Sequence, residues 1–167
     1  MDVDKKLTFV LTIKDRTFFT FRWMEYADRV SFPFKILIAD GGKETTVTDQ
    51  LSIANNYPNL NYEYIKYPYD KTYSDYFTKL EDVVSRVSTP YVALGDDDDF
   101  FIIDGMRKGV SFLEDNPDYG TCGGRTGYFK SVSGMNNPYG KDFECTLLAN
   151  AVKLILVDQE IATGRKE

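Results

Sequence analysis

Four short apolar runs alternate with four segments of helical periodicity over the first 115 residues, and that alternation limits what the chain can become. The runs are "LTFVLTI" (Leu7 to Ile13), "KILIA" (Lys35 to Ala39), "LNYEY" (Leu60 to Tyr64) and "YVALG" (Tyr91 to Gly95). Between them, Phe19, Trp23, Ala27 and Val30 recur at helical spacing, and Pro33 ends that pattern. A polar helix is expected over Glu44 to Asn56. Tyr73, Tyr76, Phe77, Leu80, Val83, Val84 and Val87 mark a third helix, with Thr72 or Ser74 to cap it. Ile103, Met106, Val110 and Leu113 mark a fourth, closed by Asn116-Pro117. Strands alternating with helices predict an α/β fold around a mostly parallel sheet. "LNYEY" reads as a strand with one wet face, and "YVALG" as one covered on both faces.

Beyond Tyr119 the pattern loosens. "YGTCGGRTGYF" reads as a strand with glycine-loosened backbone and "NNPYGKD" as a loop. "CTLLANAVKLILV" reads either as a core helix or as a helix followed by a strand. With 167 residues, the expectation is a single domain over 1–167.

Charge and composition exclude several functions. The formal charge is -6 with no long basic run, which argues against a nucleic-acid backbone as partner. The chain contains no histidine, so Ser-His and Cys-His nucleophile systems and His metal ligands are absent. Acid-base or metal chemistry must then fall to carboxylates. Cys122 and Cys145 lack metal-ligand spacing and read as reduced, partly buried thiols. The apolar run after the polar start "MDVDKK" is too short for a signal peptide. Leu147 to Val157 is the most apolar stretch and falls short of the ~20 residues a membrane span needs. No transmembrane segment and a cytoplasmic location are therefore expected.

Polar chemistry collects at the strand ends. The first run ends at Lys14-Asp15-Arg16, the second at Asp40-Gly41-Gly42 and the fourth at Asp96 to Asp99. In a parallel sheet these ends share one edge, where ligands of open α/β sheets bind. Each motif alone has a plainer reading. A charge run is usually a solvated turn, Asp-Gly is a common turn, and Asp15 could cap the following helix. Adjacent carboxylates repel by roughly 4 kcal/mol at 4 Å and an effective dielectric near 20. A bound cation reverses that sign. The spacing is not that of an EF-hand, since Phe100 and Phe101 follow the run. Two carboxylates one residue apart suit magnesium or manganese, which leaves coordination sites to water and substrate phosphates.

Three of these motifs, "VLTIKDR", "ILIADGG" and "PYVALGDDDDF", occur in the order found in a known family. Over about the first 115 residues the chain resembles the GT-A-fold, nucleotide-sugar-dependent glycosyltransferases, in particular the inverting family 2 type. The resemblance implies a Rossmann-like, mostly parallel sheet flanked by helices. It implies transfer of a sugar from a nucleoside-diphosphate sugar, with a UDP-sugar favoured, to a hydroxyl of a carbohydrate, lipid or protein acceptor. The cofactor implied is Mn2+ or Mg2+. Asp96 and Asp98 match the D-x-D pair as metal ligands, Asp96 also being placed to contact ribose, and Asp97 with Asp99 gives an alternative register. Thr12, Lys14, Asp15, Arg16 and Asp40 join Asp96 in the nucleotide-sugar site, with Thr12 on the wall meeting the base.

The chain also departs from the family. Ala39 replaces the first Asp of D-D-G-S, and Asp15 stands where Asn is usual. Lys79 stands where the helix before D-x-D often carries Asn. It could reach a phosphate, and the reading preferred is a solvated helix residue. The family's catalytic base lies well downstream of D-x-D, and here only Asp142 and Glu144 are near candidates. The expectation is a chain truncated at its C-terminus, with 1–100 as the nucleotide-sugar part and 101–167 as the start of an acceptor side. Apolar surface left open that way would favour an oligomer. Seven tyrosines between Tyr57 and Tyr76 either stack on sugar rings or fill an edge strand and its helix. Gly123-Gly124-Arg125 either lets ligand approach the backbone or forms a strand bulge. Rival readings are a nucleotidyltransferase, a receiver-type signalling domain and a non-catalytic nucleotide- and metal-binding fragment. "TIKDRTFF" lacks the glycine-rich loop of the first, and the acid run follows the wrong strand for the second.

Overall fold

The structure is a computed structural model that describes residues 2–53, 56–124, 129–131, 145–147 and 164–165. The chain forms two compact units, Met1–Ile103 and Asp104–Glu167. The first is an α/β layer structure. A 3-10 turn (Val3–Lys6) leads into β1 (Leu7–Ile13), followed by α1 (Thr17–Arg29), β2 (Lys35–Asp40), α2 (Thr45–Leu51), β3 (Tyr62–Lys66), α3 (Tyr73–Ser85) and β4 (Tyr91–Asp96). The four strands are parallel in the order β3-β2-β1-β4. The predicted fold class is thus present. β1 is buried along its whole length because it has a strand on either side and a helix over each face.

The pleat divides the core. Phe9 stacks on Trp23 of α1 with ring centroids 5.4 Å apart, and Phe32 and Phe101 meet it edge-on. On the other face Val10, Leu37 and Ala39 pack against Val83, with Leu80, Val84 and Val87 of α3 at the margin. The stripe predicted for α3 fails in its first turns. Tyr73 is 84% exposed and Phe77 is also exposed. Lys79 bonds the carbonyl of Ile13, the last residue of β1, so the turns before it lie beyond the strand ends. Thr72 caps the helix in a reciprocal capping box with Asp75.

β4 also differs from expectation. It does not lie covered on both faces, since Val92 is exposed and Leu94 is 51% exposed. It is the sheet's edge among the described strands. Its apolar residues hide the alternation that the pleat imposes, because both faces carry them. Gly95 faces the aromatic side, where a Cβ would come within 2.4 Å of the Phe9 ring and 2.7 Å of Phe101.

In the second unit, α4 (Ile103–Asp115) precedes β5 (Tyr119–Thr121), β6 (Phe129–Ser131), β7 (Cys145–Leu147) and β8 (Gly164–Arg165). β5 pairs antiparallel with β8, and β6 with β7. Residues 145–147 are strand, which corrects the helical start expected for "CTLLANAVKLILV"; residues 148–157 lie outside the described residues. The half-buried Cys122 thiol bonds the Gly109 carbonyl, and burial pushes its pKa up. Among the described residues no helix is long and apolar enough to cross a membrane.

Candidate functional site

The first unit carries its polar chemistry at the carboxyl ends of the parallel strands. Register places Ile13 of β1 opposite Asp40 and Thr12 opposite Asp96. Successive strands run outward from β1 through β2 to β3, then β4 is added on β1's other side. That reversal makes the β1–β4 end a topological switch point, where α/β sheets open a crevice. A cleft of about 440 Å³ lies there. Thr12 lines it from β1 with Lys14 and Arg16 just after that strand, Asp96 and Asp97 from the end of β4, Tyr73 and Lys79 from α3, and Asp70 from the loop before α3.

The four successive Asp residues do four different things. Asp96 is exposed and accepts a 2.7 Å hydrogen bond from Thr12 Oγ1. Asp97 turns into the core, where Thr20 Oγ1 donates to it at 2.8 Å. Burial raises the Asp97 pKa, against the opposing pull of Thr20 and Arg16. Asp98 pairs with Arg16 at 2.8 Å, and that hydrogen bond lowers its pKa. Asp99 is exposed, and its pKa is raised by partial burial and then by the charges on Asp98 and Asp96. Arg16 also stands 3.6 Å from Asp97 and lies over the Phe19 ring at 4.3 Å. One guanidinium therefore offsets part of the repulsion in the run, at Asp97 and Asp98.

At the end of β2 the carboxylate is enclosed. Asp40 Oδ1 accepts from Gly42 N–H at 2.7 Å, and Oδ2 from Tyr64 at 2.5 Å and Lys66 at 2.8 Å. Asp15 adopts a left-handed φ of 48° and accepts from the backbone N–H groups of Lys43 and Glu44. It does not cap α1, as the sequence allowed; the N-cap of α1 is Arg16, without a side-chain bond, and Asp15 instead secures the loop entering α2. Asp15 and Asp40 share one edge with the cleft but are not among its described lining residues.

Sequence reasoning missed a buried ion pair. Lys79, read as solvated, has a side chain 2% exposed and pairs with Asp70 at 2.5 Å. Its position on the buried side of α3, between Tyr76 and Val83, was the available signal. Asp70 drew no notice because it sits in the polar stretch "YPYDKTY". Lys14 donates to the Asp70 carbonyl and lies 4.8 Å from the Tyr69 ring.

Among the described residues no three acidic or thiol groups gather in a way that could hold a metal ion. Magnesium and manganese ask less, one or two carboxylates with the rest from water and substrate phosphates. Asp96 fits that role, lining the cleft with Thr12 as its bonded partner. Asp98 is not among the described lining residues and would have to leave Arg16 and turn to the cleft to join it. The alternative register would require Asp97 to leave Thr20 and the core. Asp142, Glu144 and Arg125 lie outside the described residues. No protein-family model matches this sequence, and no curated protein matches it.

Proposed function

We propose that the chain is a glycosyltransferase of GT-A type, moving a sugar from a nucleoside-diphosphate sugar to an acceptor hydroxyl with inversion at the anomeric carbon. One observation supports the reading: a cleft at the switch point of a parallel sheet whose lining brings Lys14 and Arg16 together with Asp70, Asp96 and Asp97. Its volume suits a small-molecule ligand. Lys14 and Arg16 supply positive charge toward the two phosphates. Thr12 orients Asp96, which meets ribose or a cation. A Mn2+ or Mg2+ ion held by Asp96 and Asp98 would neutralise charge on the departing diphosphate. Arg16, on leaving Asp98, is free to turn to the same phosphates. A UDP-sugar is the favoured donor, and carbohydrate, lipid and protein remain the acceptor classes. Asp142 and Glu144 are the proposed candidates for the base that deprotonates the acceptor.

Calorimetric titration with UDP, GDP, CDP and TDP, with and without manganese, tests this. One diphosphate should bind in a metal-dependent way. Asp96→Ala and Asp98→Ala should each weaken it about tenfold or more, the loss of one charge-assisted contact. Unchanged affinity in both variants would remove the metal and ribose roles. Turnover is then read on each acceptor class with the diphosphate's sugar.

A further inference from the structure

One carboxylate of the cleft is sealed into the protein with half of its hydrogen-bonding capacity unanswered. The Asp70 side chain is 4% exposed and lines the cleft. Oδ2 accepts from Lys79, while Oδ1 has no partner among the described residues. Native proteins leave few buried polar atoms in that condition.

The residue is also held by its backbone. Asp70 N–H donates to the Gly41 carbonyl at 2.9 Å, and the Asp70 carbonyl accepts from Lys14. The carboxylate lies against Gly41, where a Cβ would come within 2.2 Å of Oδ2 and 2.4 Å of Oδ1. No other side chain fits at position 41 while Asp70 keeps this place. Other acids nearby have partners within the chain: Asp40 in Gly42, Tyr64 and Lys66, Asp96 in Thr12, Asp97 in Thr20 and Asp98 in Arg16.

An ionised carboxylate only accepts, so its free oxygen calls for an N–H or O–H and repels a phosphate. Lys14 and Arg16, both on the cleft wall, attract anionic groups nearby. A ligand that brings a donor at one end and phosphates at the other satisfies both. We propose that the Asp70 side chain, shielded in the unliganded chain, turns Oδ1 to the cleft and accepts one O–H or N–H from the nucleoside portion of the ligand, making Asp70 the specificity-determining residue of the cleft. The shared chemistry is a single donor, from either the ribose or the base. This rests on the nucleoside-diphosphate reading given above.

The test begins with the unaltered chain. The diphosphate that binds most tightly among UDP, GDP, CDP and TDP is compared by calorimetry with its 2′-deoxy, 3′-deoxy and base-N-methyl analogues. One analogue should lose at least tenfold, since removing a donor leaves the buried oxygen unpaired again. The analogue that fails identifies ribose or base as the source. That ratio should fall toward one in Asp70→Leu/Lys79→Met, which removes both buried charges together, and in Gly41→Ala, whose Cβ displaces the carboxylate. Equal binding of all analogues overturns the proposal while leaving the glycosyltransferase reading intact. So does a ratio that persists in a variant that still folds by circular dichroism. Failure of every diphosphate to bind is a separate result, and it removes both.

Discussion

The ends of β2 and β4 flank the same strand, carry the same side chain, and are used in opposite ways. Asp40 is buried and accepts from three protein donors. Asp96 is exposed and accepts from Thr12. The difference follows from their neighbours. β2 has β3 beside it, and β3 delivers Tyr64 and Lys66 onto Asp40. β4 is at the sheet's edge among the described strands, so no strand beyond it supplies donors. The acid is enclosed where the sheet continues and open to solvent at the edge of the described strands. Asp70 stands between the cases, enclosed like Asp40 yet incompletely bonded.

The largest effect expected on the enclosed side is at Lys79. Lys79→Met leaves Asp70 as an uncompensated buried charge and should cost about 3–5 kcal/mol. Asp70→Leu/Lys79→Met should recover most of that loss, because both desolvated charges go together. Urea unfolding of the two variants reads the difference. If the single variant is as stable as the double, the pair is not buried in solution.

Next comes the comparison itself. Asp40→Ala strands the N–H of Gly42 and takes one acceptor each from Tyr64 and Lys66, which keep Thr48 and the Gly42 carbonyl, and should cost about 2–3 kcal/mol. Asp96→Ala frees the half-exposed Thr12–Asp96 contact alone and should cost under about 1 kcal/mol. Tyr64 reports the same contrast spectroscopically. Burial and then the Asp40 hydrogen bond push its pKa well above the ordinary phenol value. In Asp40→Ala its ultraviolet titration should move down toward that value, whereas in Asp96→Ala it should stay put. Equal destabilisation by the two substitutions would abolish the distinction between the two strand ends.

The sequence was informative where one physical signal dominates. Periodicity located every strand of the first unit and α1, α3 and α4, and turn residues placed Asp40 and Asp96 at strand ends. Burial was harder to read. "YVALG" looks like a two-faced core strand because Val92 and Leu94 are apolar, although the pleat sends both to the open side. Tyr73 and Phe77 fit a helical stripe, but helical spacing cannot tell that the sheet ends before they do. α2 covers Thr45–Leu51 rather than reaching Asn56, since Val47 and Leu51 are its buried anchors and Ser52 and Ile53 after them are exposed. Within the candidate site, the sequence named the acidic run but not its division of labour. Asp97 turns inward because Thr20 lies 77 residues earlier in the chain and close in space. The Lys79–Asp70 pair escaped for a related reason: nine residues apart, they meet only because a turn brings α3 back over Gly41.

The smallest expected effect separates two adjacent carboxylates by sign. Asp98 has a lowered pKa, chiefly through its bond to Arg16. The unfolded chain, with an ordinary value of about 3.9, binds protons there before the folded one does. Stability from Asp98 is therefore fully present above that value and is lost as pH falls through the depressed one. Asp97 is raised, chiefly by burial. The folded chain holds its proton longer, so stability falls as pH rises from about 3.9 through the raised value. Asp98→Asn should flatten the acid limb by less than about 1 kcal/mol, because the ion pair is half exposed. Asp97→Asn keeps an acceptor for Thr20 and should remove the opposite slope above pH 4, changing stability at pH 7 by no more than about 1 kcal/mol. Urea unfolding of both variants between pH 2.5 and 7 reads the two slopes. Slopes of the same sign would mean that Asp97 and Asp98 share one environment, and that the acidic run is a uniform solvated turn rather than a built wall of the cleft.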